Sequence, residues 1–256
     1  MKLATWNVNS VLARLPVVVK WLEEARPDVL CLQEIKCVAE RFLREVFAGL
    51  GYHSEVFGQP TYNGVAILSR VPATDVRRGF PGDDAMAAAR LLAANVNGVR
   101  VVNVYVPNGQ SVGAEKYFYK LDWLKQLRAL FDAQFDPHSH VLLCGDFNVA
   151  PEDRDVHDPN WWEGRILFSE PEKEALERVR EWGLVDAFRL HEQGTGLYSW
   201  WDYRAAGFRR NAGMRIDHVW VSSPLAAHCT ASWIDKEPRR WERPSDHTPV
   251  LAEFAL

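Results

Sequence analysis

Apolar residues in this chain fall into short runs that end on polar side chains, with helical stripes between them. Residues 2–8 read as a strand. Pro16 opens a helix that runs to about Ala25, and Pro27 marks its exit. Residues 28–33 form a strand, and residues 39–50 an amphipathic helix that Gly51 ends. Residues 64–69 are another strand. Asn97-Gly98, between LLAANV and VRVVNVYV, predicts a hairpin with a two-residue turn. Residues 115–132 make a long helix with apolar positions at Tyr119, Trp123, Leu127 and Leu130, and residues 140–145 a strand. Ser169, with Glu172 three residues on, caps a helix that runs to Trp182 and stops at Gly183. Strands are predicted at 197–201, 216–221 and 248–254, and surface loops at Gly79–Ala85 and Glu152–Trp162.

Strand and helix alternate, so the content is α/β. The hairpin requires antiparallel pairing and no GxGxxG occurs, which excludes a doubly wound dinucleotide fold. Two packed mixed β-sheets flanked by helices satisfy the pattern. No linker or low-complexity stretch interrupts residues 1–256, so one domain is expected.

Composition adds little beyond limits. Of 256 residues, 47% are hydrophobic and 25% charged, which suits a globular chain with a sizeable core. The apolar runs are too short to cross a membrane, and Met1-Lys2-Leu3 leads straight into a strand, with no signal peptide. Cys31, Cys37, Cys144 and Cys229 form no CxxC pair and read as free thiols of a cytoplasmic protein. A net charge of −4 neither points to nucleic acid nor excludes it.

The chemistry lies where strands end. VLLCGDFNVA presents Asp146 and Asn148 two residues apart on one side of a strand mouth. A carboxylate beside a carboxamide suits a divalent metal, a phosphate or an attacking water. Other strand ends supply Asn7, Glu34 with Lys36, Tyr105 with Asn108, Asp217, and Asp246 with His247. Open sheets place ligand groups at such termini. If Glu34, Asp146, Asp217 and Asp246 converge, they cannot all stay ionised without a cation. With Asn7 and Asn148 adding neutral oxygens, Mg²⁺ or Mn²⁺ fits better than Zn²⁺. Adjacent residues on a strand face opposite ways, so Asp217 rather than Asp246 is expected to orient His247.

These segments resemble the exonuclease III family of abasic-site endonucleases, within the metal-dependent endonuclease/exonuclease/phosphatase superfamily. WNVNS, LQEIK, YNGVAILSR, YVPNG, GDFNVAP, SWWDYR, RIDHVWVS and PSDHTPV occur in the family's order across nearly the whole chain. The resemblance implies a four-layer α/β-sandwich and Mg²⁺-dependent hydrolysis 5′ to abasic sites, with 3′-5′ exonuclease activity and trimming of blocked 3′ ends. It places Asn7, Glu34, Asp146, Asn148, Asp246 and His247 in the metal region. It gives Asp146 the attacking water, with Asn148 beside it. His247 paired with Asp217 would contact the scissile phosphate, which Tyr105 and Asn108 would stabilise. Duplex DNA with abasic or 3′-blocked lesions is the expected partner, for a monomer in a bacterial cytoplasm, close to the nucleoid.

DNA contact calls for positive charge among aromatic side chains. Arg204, Arg209, Arg210 and Arg215 surround Trp200, Trp201, Tyr203 and Phe208, while Arg239, Arg240 and Arg243 flank Trp241. The resemblance adds Trp200, Met214 and Ile216 as walls of a sugar pocket. It adds Tyr62, Asn63 and Gly64 as a turn on the DNA backbone, and Lys36 and Arg215 as further contacts. Ile166-Leu167-Phe168 is bulky where several abasic endonucleases carry small residues, which would favour 3′ ends over internal sites. A superfamily phosphatase acting on inositol phosphates or sphingolipid head groups, and a DNA-binding module without catalysis, are the alternatives; LQEIK and SWWDYR argue against the first, the intact acids against the second.

Overall fold

The computed structural model describes residues 1–84 and 86–256. Ala85, the last residue of the predicted 79–85 loop, lies outside them. Strands β1 (Lys2–Asn7), β2 (Val29–Gln33), β3 (His53–Phe57) and β4 (Val65–Ser69) occupy the first part of the chain. They are followed by β5 (Thr74–Arg78), β6 (Leu91–Val96), β7 (Val99–Tyr105) and β8 (Val141–Asp146). The last are β9 (Leu184–Asp186), β10 (Asp217–Ser222), β11 (Cys229–Ile234) and β12 (Val250–Phe254). They form two mixed six-stranded sheets, ordered β11-β12-β1-β2-β4-β3 and β5-β6-β7-β8-β10-β9. Helices cover both outer faces, giving the four-layer α/β-sandwich that the resemblance implied.

Alternation along the strands sorts the core into layers. Leu3, Cys31 and Ile67 of one sheet meet Leu92, Val101, Leu142, Cys144 and Val219 of the other. On the far side of the first sheet, Ala4, Trp6 and Leu30 pack against Val18, Trp21 and Leu22 of helix α1 (Leu15–Ala25). Helix α2 (Arg44–Gly49) adds Phe47 to that layer. On the far side of the second sheet, Val102, Val104 and Leu143 pack against Trp123, Leu127 and Phe131 of α3 (Glu115–Gln134). Among the described residues no helix is long and apolar enough to cross a membrane.

The inward rows have a consequence for the site. Leu3, Thr5 and Asn7 share one face of β1, and Leu142, Cys144 and Asp146 share one face of β8. Partway up, the Gln33 amide bonds Thr5 Oγ1 at 2.9 Å and Asn103 Oδ1 at 2.7 Å, linking the sheets. Gly145 is required just below the mouth. It has φ +143, and a Cβ there would lie 1.9 Å from the Val104 carbonyl on the paired strand.

Several expectations change. Residues 39–50 are not one helix: a 3₁₀ turn at Ala39–Arg41 gives way to α2. Phe42 and Phe47 are both buried, stacked at 5.2 Å. Residues five apart diverge on a continuous helix, so both rings turn inward only across a break. In α3 the buried stripe begins at Tyr117, whose hydroxyl lies 2.8 Å from Ser169 Oγ, and Tyr119 is exposed. Residues 197–201 form no strand, only single bridges from Trp200 to Met214 and His247. The 152–162 loop contains a 3₁₀ turn and the short helix α4 (Pro159–Trp162), and its Asp155 is fully buried.

Asp155 explains why Arg215 is not a DNA contact. Arg215, 1% exposed, turns away from Met214 and Ile216. It bonds Asp155 at 2.7 and 3.2 Å, Asp186 at 2.8 Å and His218 Nδ1 at 3.1 Å. Arg189 also bonds Asp155. Burial opposes the Asp155 charge, but Arg215 and Arg189 outweigh it and hold the carboxyl below its ordinary range. His218 is neutral for a geometric reason: Nδ1 must accept from Arg215, while Nε2 must donate to the Val149 carbonyl at 3.2 Å. Burial, helped by Arg215, lowers its pKa to about 4.

Two outcomes follow. Asp155→Asn leaves two buried guanidiniums under-paired and is expected to lower unfolding free energy by roughly 3–5 kcal/mol in urea titration. The unfolded chain protonates His218 near pH 6.5, and the folded chain only near 4. Its contribution is therefore complete above about pH 6.5 and lost as pH falls toward 4, by at most about 3 kcal/mol. A His218→Gln variant should show a flatter dependence of stability on pH across that range.

Candidate active site

Both sheets end their central strands at one place. Across the second sheet, Tyr105, Asp146 and Asp217 are register partners on β7, β8 and β10, so their side chains stand in a row. Across the first, Asn7 pairs with Gln33, and Glu34 follows with φ +49, which turns the chain off the sheet. The Asn7 carboxamide joins the two halves. Its Nδ2 donates to Glu34 Oε1 and to Asp146 Oδ2, both at 2.9 Å. Its Oδ1 accepts from the Asn9 amide at 3.0 Å.

His247 enters from the loop before β12. Its Nδ1 lies 2.9 Å from Asp217 Oδ2, and its Nε2 faces Asp146 Oδ2 at 3.8 Å. Asp246 points elsewhere, as alternation requires. Burial works against charge on His247, but Asp217 and Asp146 outweigh it and raise the pKa to about 10. The ring is an imidazolium with both N–H groups directed at carboxylates. Burial, together with the nearby Asp217 charge, pushes Asp146 up to about 7, against the pull of His247, Asn7 and the Asn148 amide. Asp217 is fixed from behind by the Ser199 hydroxyl at 2.6 Å.

A second arc borders Glu34. Lys36 Nζ lies 2.8 Å from Glu34 Oε2 and 2.6 Å from Asn9 Oδ1. Asn9 Nδ2 donates to Asp246 Oδ1 at 3.0 Å, and Trp200 Nε1 to its Oδ2 at 3.1 Å. Burial disfavours charge on Glu34 and on Asp246. The hydrogen bonds of Asn7 and Lys36 to the first, and the His247 charge with the Trp200 and Asn9 bonds to the second, win and lower both pKa values. Lys36, expected on DNA, is thus a cation inside the acidic cluster.

Where a metal ion fits follows from the donors. Asp146, Asp217 and His247 offer ligand atoms within 4.8 Å of one another. His247 Nδ1 is taken up by Asp217, however, and Asp217 already serves both His247 and Ser199. Glu34 is the freer group: its Oε2 faces an ammonium, which occupies the position a metal cation would claim. Hard oxygens from Glu34 and Asp146 suit a magnesium-class ion; Asn7, expected as a further ligand, turns its N–H groups to those two acids and its Oδ1 to the Asn9 amide.

On the far side of Asp146, the Asn148 amide donates to Oδ1 at 2.9 Å, and its Nδ2 donates to the Val106 carbonyl at 2.9 Å. Asn108 Nδ2 reaches Asn148 Oδ1 at 3.2 Å. Burial, with Glu34 and Asp146 nearby, holds the Tyr105 pKa well above 10, so its phenol stays a donor. Arg90 stacks over that ring at 4.7 Å.

Residues 4–247 match the Endonuclease/Exonuclease/phosphatase family. The chain belongs to that family. It is 36% identical to exodeoxyribonuclease III of Haemophilus influenzae, over 99% of this chain and 100% of that one. Among solved structures, a 3′-5′ exonuclease of Neisseria meningitidis superposes with TM-score 0.97 at 42% identity. An AP endonuclease of Archaeoglobus fulgidus gives 0.94 at 38%. Both comparisons cover 100% of each chain.

Around this family site, the residues expected on DNA divide. Tyr62 is 68% exposed, and the turn of Asn63 and Gly64 is held beside Glu34, their carbonyls accepting the Lys36 and Ile35 amides at 2.9 and 3.1 Å. Arg204 is exposed but paired to Asp202 at 2.7 Å. Trp200 is half-buried. Met214 and Ile216 lie beneath it, in one cluster with Leu167 and Phe168. Sequence reasoning passed over Asn9, Ser199 and Arg90. Asn9 carried a signal, two residues after Asn7 in WNVNS; Ser199 and Arg90 carried none, because serine and arginine are common at loop ends.

The His247 assignment predicts a titration. Its imidazole should stay protonated to about pH 9 in NMR, and in Asp217→Asn the pKa should fall toward the ordinary value of about 6.5. The unfolded chain releases this proton first, so the stability it brings is whole below about pH 6.5 and lost as pH rises through about 10.

Proposed function

We propose that this chain is a Mg²⁺-dependent DNA-repair phosphodiesterase, with Mn²⁺ as a substitute ion. It hydrolyses duplex DNA 5′ to abasic sites and removes blocking groups from 3′ ends. The observation that carries the reading is the Asn7 carboxamide binding Glu34 and Asp146 at once, with the His247–Asp217 pair beside them. The catalytic residues are Tyr105, Asn108, Asp146, Asn148, Asp217 and His247. The chain is taken to act as a monomer and as one domain over residues 1–256. The proposed setting is a bacterial cytoplasm, at the nucleoid.

Glu34 and Asp146 would hold the ion, which when bound would supply neutralisation of charge on the phosphate and its leaving oxygen. The remaining work falls to side chains. Asp146, with its pKa near 7, takes the proton of the attacking water, which Asn148 helps to place. His247 offers its Nε2–H to a phosphate oxygen, and Asp217 keeps it charged. Tyr105 and Asn108 donate to the phosphate as its bond to the 3′ oxygen breaks.

One observation favours a narrower substrate range. Leu167, at φ +73 and 5% exposed, packs with Trp200, Met214 and Ile216, the residues expected to wall the sugar pocket. Ile166 leans on Gly109, where its Cδ1 would lie 2.8 Å from an added Cβ. A filled pocket admits a 3′-terminal phosphate more readily than an extrahelical abasic sugar. The Neisseria protein bound to a product DNA hairpin, 41% identical, is described as a 3′ phosphatase.

An abasic duplex and a nicked 3′-phosphate duplex, each with and without EDTA, test the reading. Chelation should abolish both activities, and Asp146→Asn should bind DNA while cutting at least about 100-fold more slowly. Undiminished cutting by that variant would remove Asp146 from the chemistry. Leu167→Gly should raise abasic cleavage about tenfold relative to 3′-phosphate removal if the pocket is filled; equal, fast cleavage of both by the wild type would end the narrower reading.

A further inference from the structure

Lys120 carries an ammonium with no exposed surface, on the inner side of α3. Lysine is almost never fully buried unless paired. Each of its three N–H donors is used: on the Asn148 carbonyl at 2.6 Å, the Asn108 carbonyl at 3.2 Å and the Glu172 carboxylate. Glu172 is equally buried. Its Oε1 also accepts the Leu167 amide at 3.1 Å, and its Oε2 accepts the Ser169 amide at 3.1 Å and hydroxyl at 2.6 Å.

One ion pair thus grips three loops that converge on the site, two of them carrying residues assigned to the chemistry. Each loop bends through a left-handed residue near the grip: Gly109 at φ +92, Asn148 at +50 and Leu167 at +73. Such conformations persist where the surroundings over-determine them. A buried pair serving stability alone could be replaced by apolar side chains, often without loss. Apolar side chains could not hold two carbonyls in place. From Lys120 the bonds run on: the Asn148 amide to Asp146, and the Asn108 carboxamide to Asn148.

We propose that Lys120, held by Glu172, is a positioning residue for hydrolysis, fixing the Asn108 and Asn148 carbonyls and so the angle at which their carboxamides and Asp146 meet the phosphate. The proposal rests on the nuclease reading. Lys120 touches no substrate, so its loss is expected in kcat rather than in DNA affinity.

The double variant Lys120→Met/Glu172→Gln removes both charges at similar volume and leaves no orphan ion. On a 3′-phosphate duplex its kcat should fall roughly 10- to 100-fold while KM stays within about threefold. Leu225→Ala, a core change away from the site, controls for stability and should leave kcat unchanged. Hydrogen exchange gives a readout independent of activity: the variant should lose protection at 106–110 and 146–149, and keep it in β1 and β2. A folded double variant with wild-type kcat would overturn the proposal, as would an equal kcat loss in Leu225→Ala or unaltered exchange in those loops. If the wild type cuts no DNA, the nuclease reading fails, and exchange alone decides whether Lys120 holds the loops.

Discussion

A single carboxamide holds two carboxylates from different sheets, and the site exists only where that contact is possible. Asn7 uses one N–H on Glu34 and the other on Asp146. An arginine or lysine in that position would cancel charge and leave less for a metal ion to bind. An amide satisfies the oxygens and leaves the charge in place. The contact demands that β1 and β8 end at the same height on facing surfaces. The Gln33–Thr5–Asn103 bonds below it resist a slip between the sheets, since a shift would strand buried amide groups. Packing of the two sheets and construction of the site are therefore one constraint.

Around this centre the fold spends charge where apolar packing would have served stability as well. Arg215 with Asp155, Asp186 and Arg189, and Lys120 with Glu172, are buried ion networks whose desolvation cost offsets much of their attraction. Both tie loops to regular elements: Arg215 joins Asp155 of the 152–162 loop to Asp186 of β9, and Lys120 joins the Asn108 and Asn148 loops to α3. Loops lack the ladders that fix a sheet, and a directional charged hydrogen bond sets an angle that a methyl group cannot. The strands bring Tyr105, Asp146 and Asp217 into line by register alone. Asn108, Asn148 and His247 sit beyond the strand ends and need side-chain bonds to hold them.

What could be read from the sequence follows from the same division. The central strands β1, β2, β4, β6, β7, β8, β10 and β12 bury both faces or carry clear apolar runs, and their pattern gives them away. The strands that escaped, HSEVF, TDVRR, LVD and CTASWI, form the four sheet edges. An edge strand pairs on one side, and polar residues there discourage pairing with other chains, which removes the apolar alternation that reading depends on. The acids of the site were legible because they border apolar runs: Glu34 and Asp146 follow one, and Asp217 and Asp246 precede one. Arg215 was misread because it follows a run of arginines and aromatics at 200–210, while its neighbours in space are Asp155 and Asp186, which lie 60 and 29 residues back along the chain. Charge partners at that separation leave no mark on local pattern.

Assignment of acid and base within the cluster comes from counting protons. His247 has Asp217 at Nδ1 and Asp146 facing Nε2, and these carboxylates raise its pKa to about 10, which makes it a poor acceptor for a proton of water at neutral pH. His247 Nδ1 and the Ser199 hydroxyl both bond Asp217 Oδ2, at 2.9 and 2.6 Å, so that oxygen is already engaged. Glu34 faces Lys36 and has its pKa lowered, which makes it a poor proton acceptor and a good metal ligand. Asp146 remains, raised by burial to where a proton is gained and lost near neutral pH. Two neighbouring groups with pKa values forced apart divide the roles between them. In the proposed hydrolysis the imidazolium steadies negative charge on phosphate, and the carboxylate 3.8 Å away takes the proton of water.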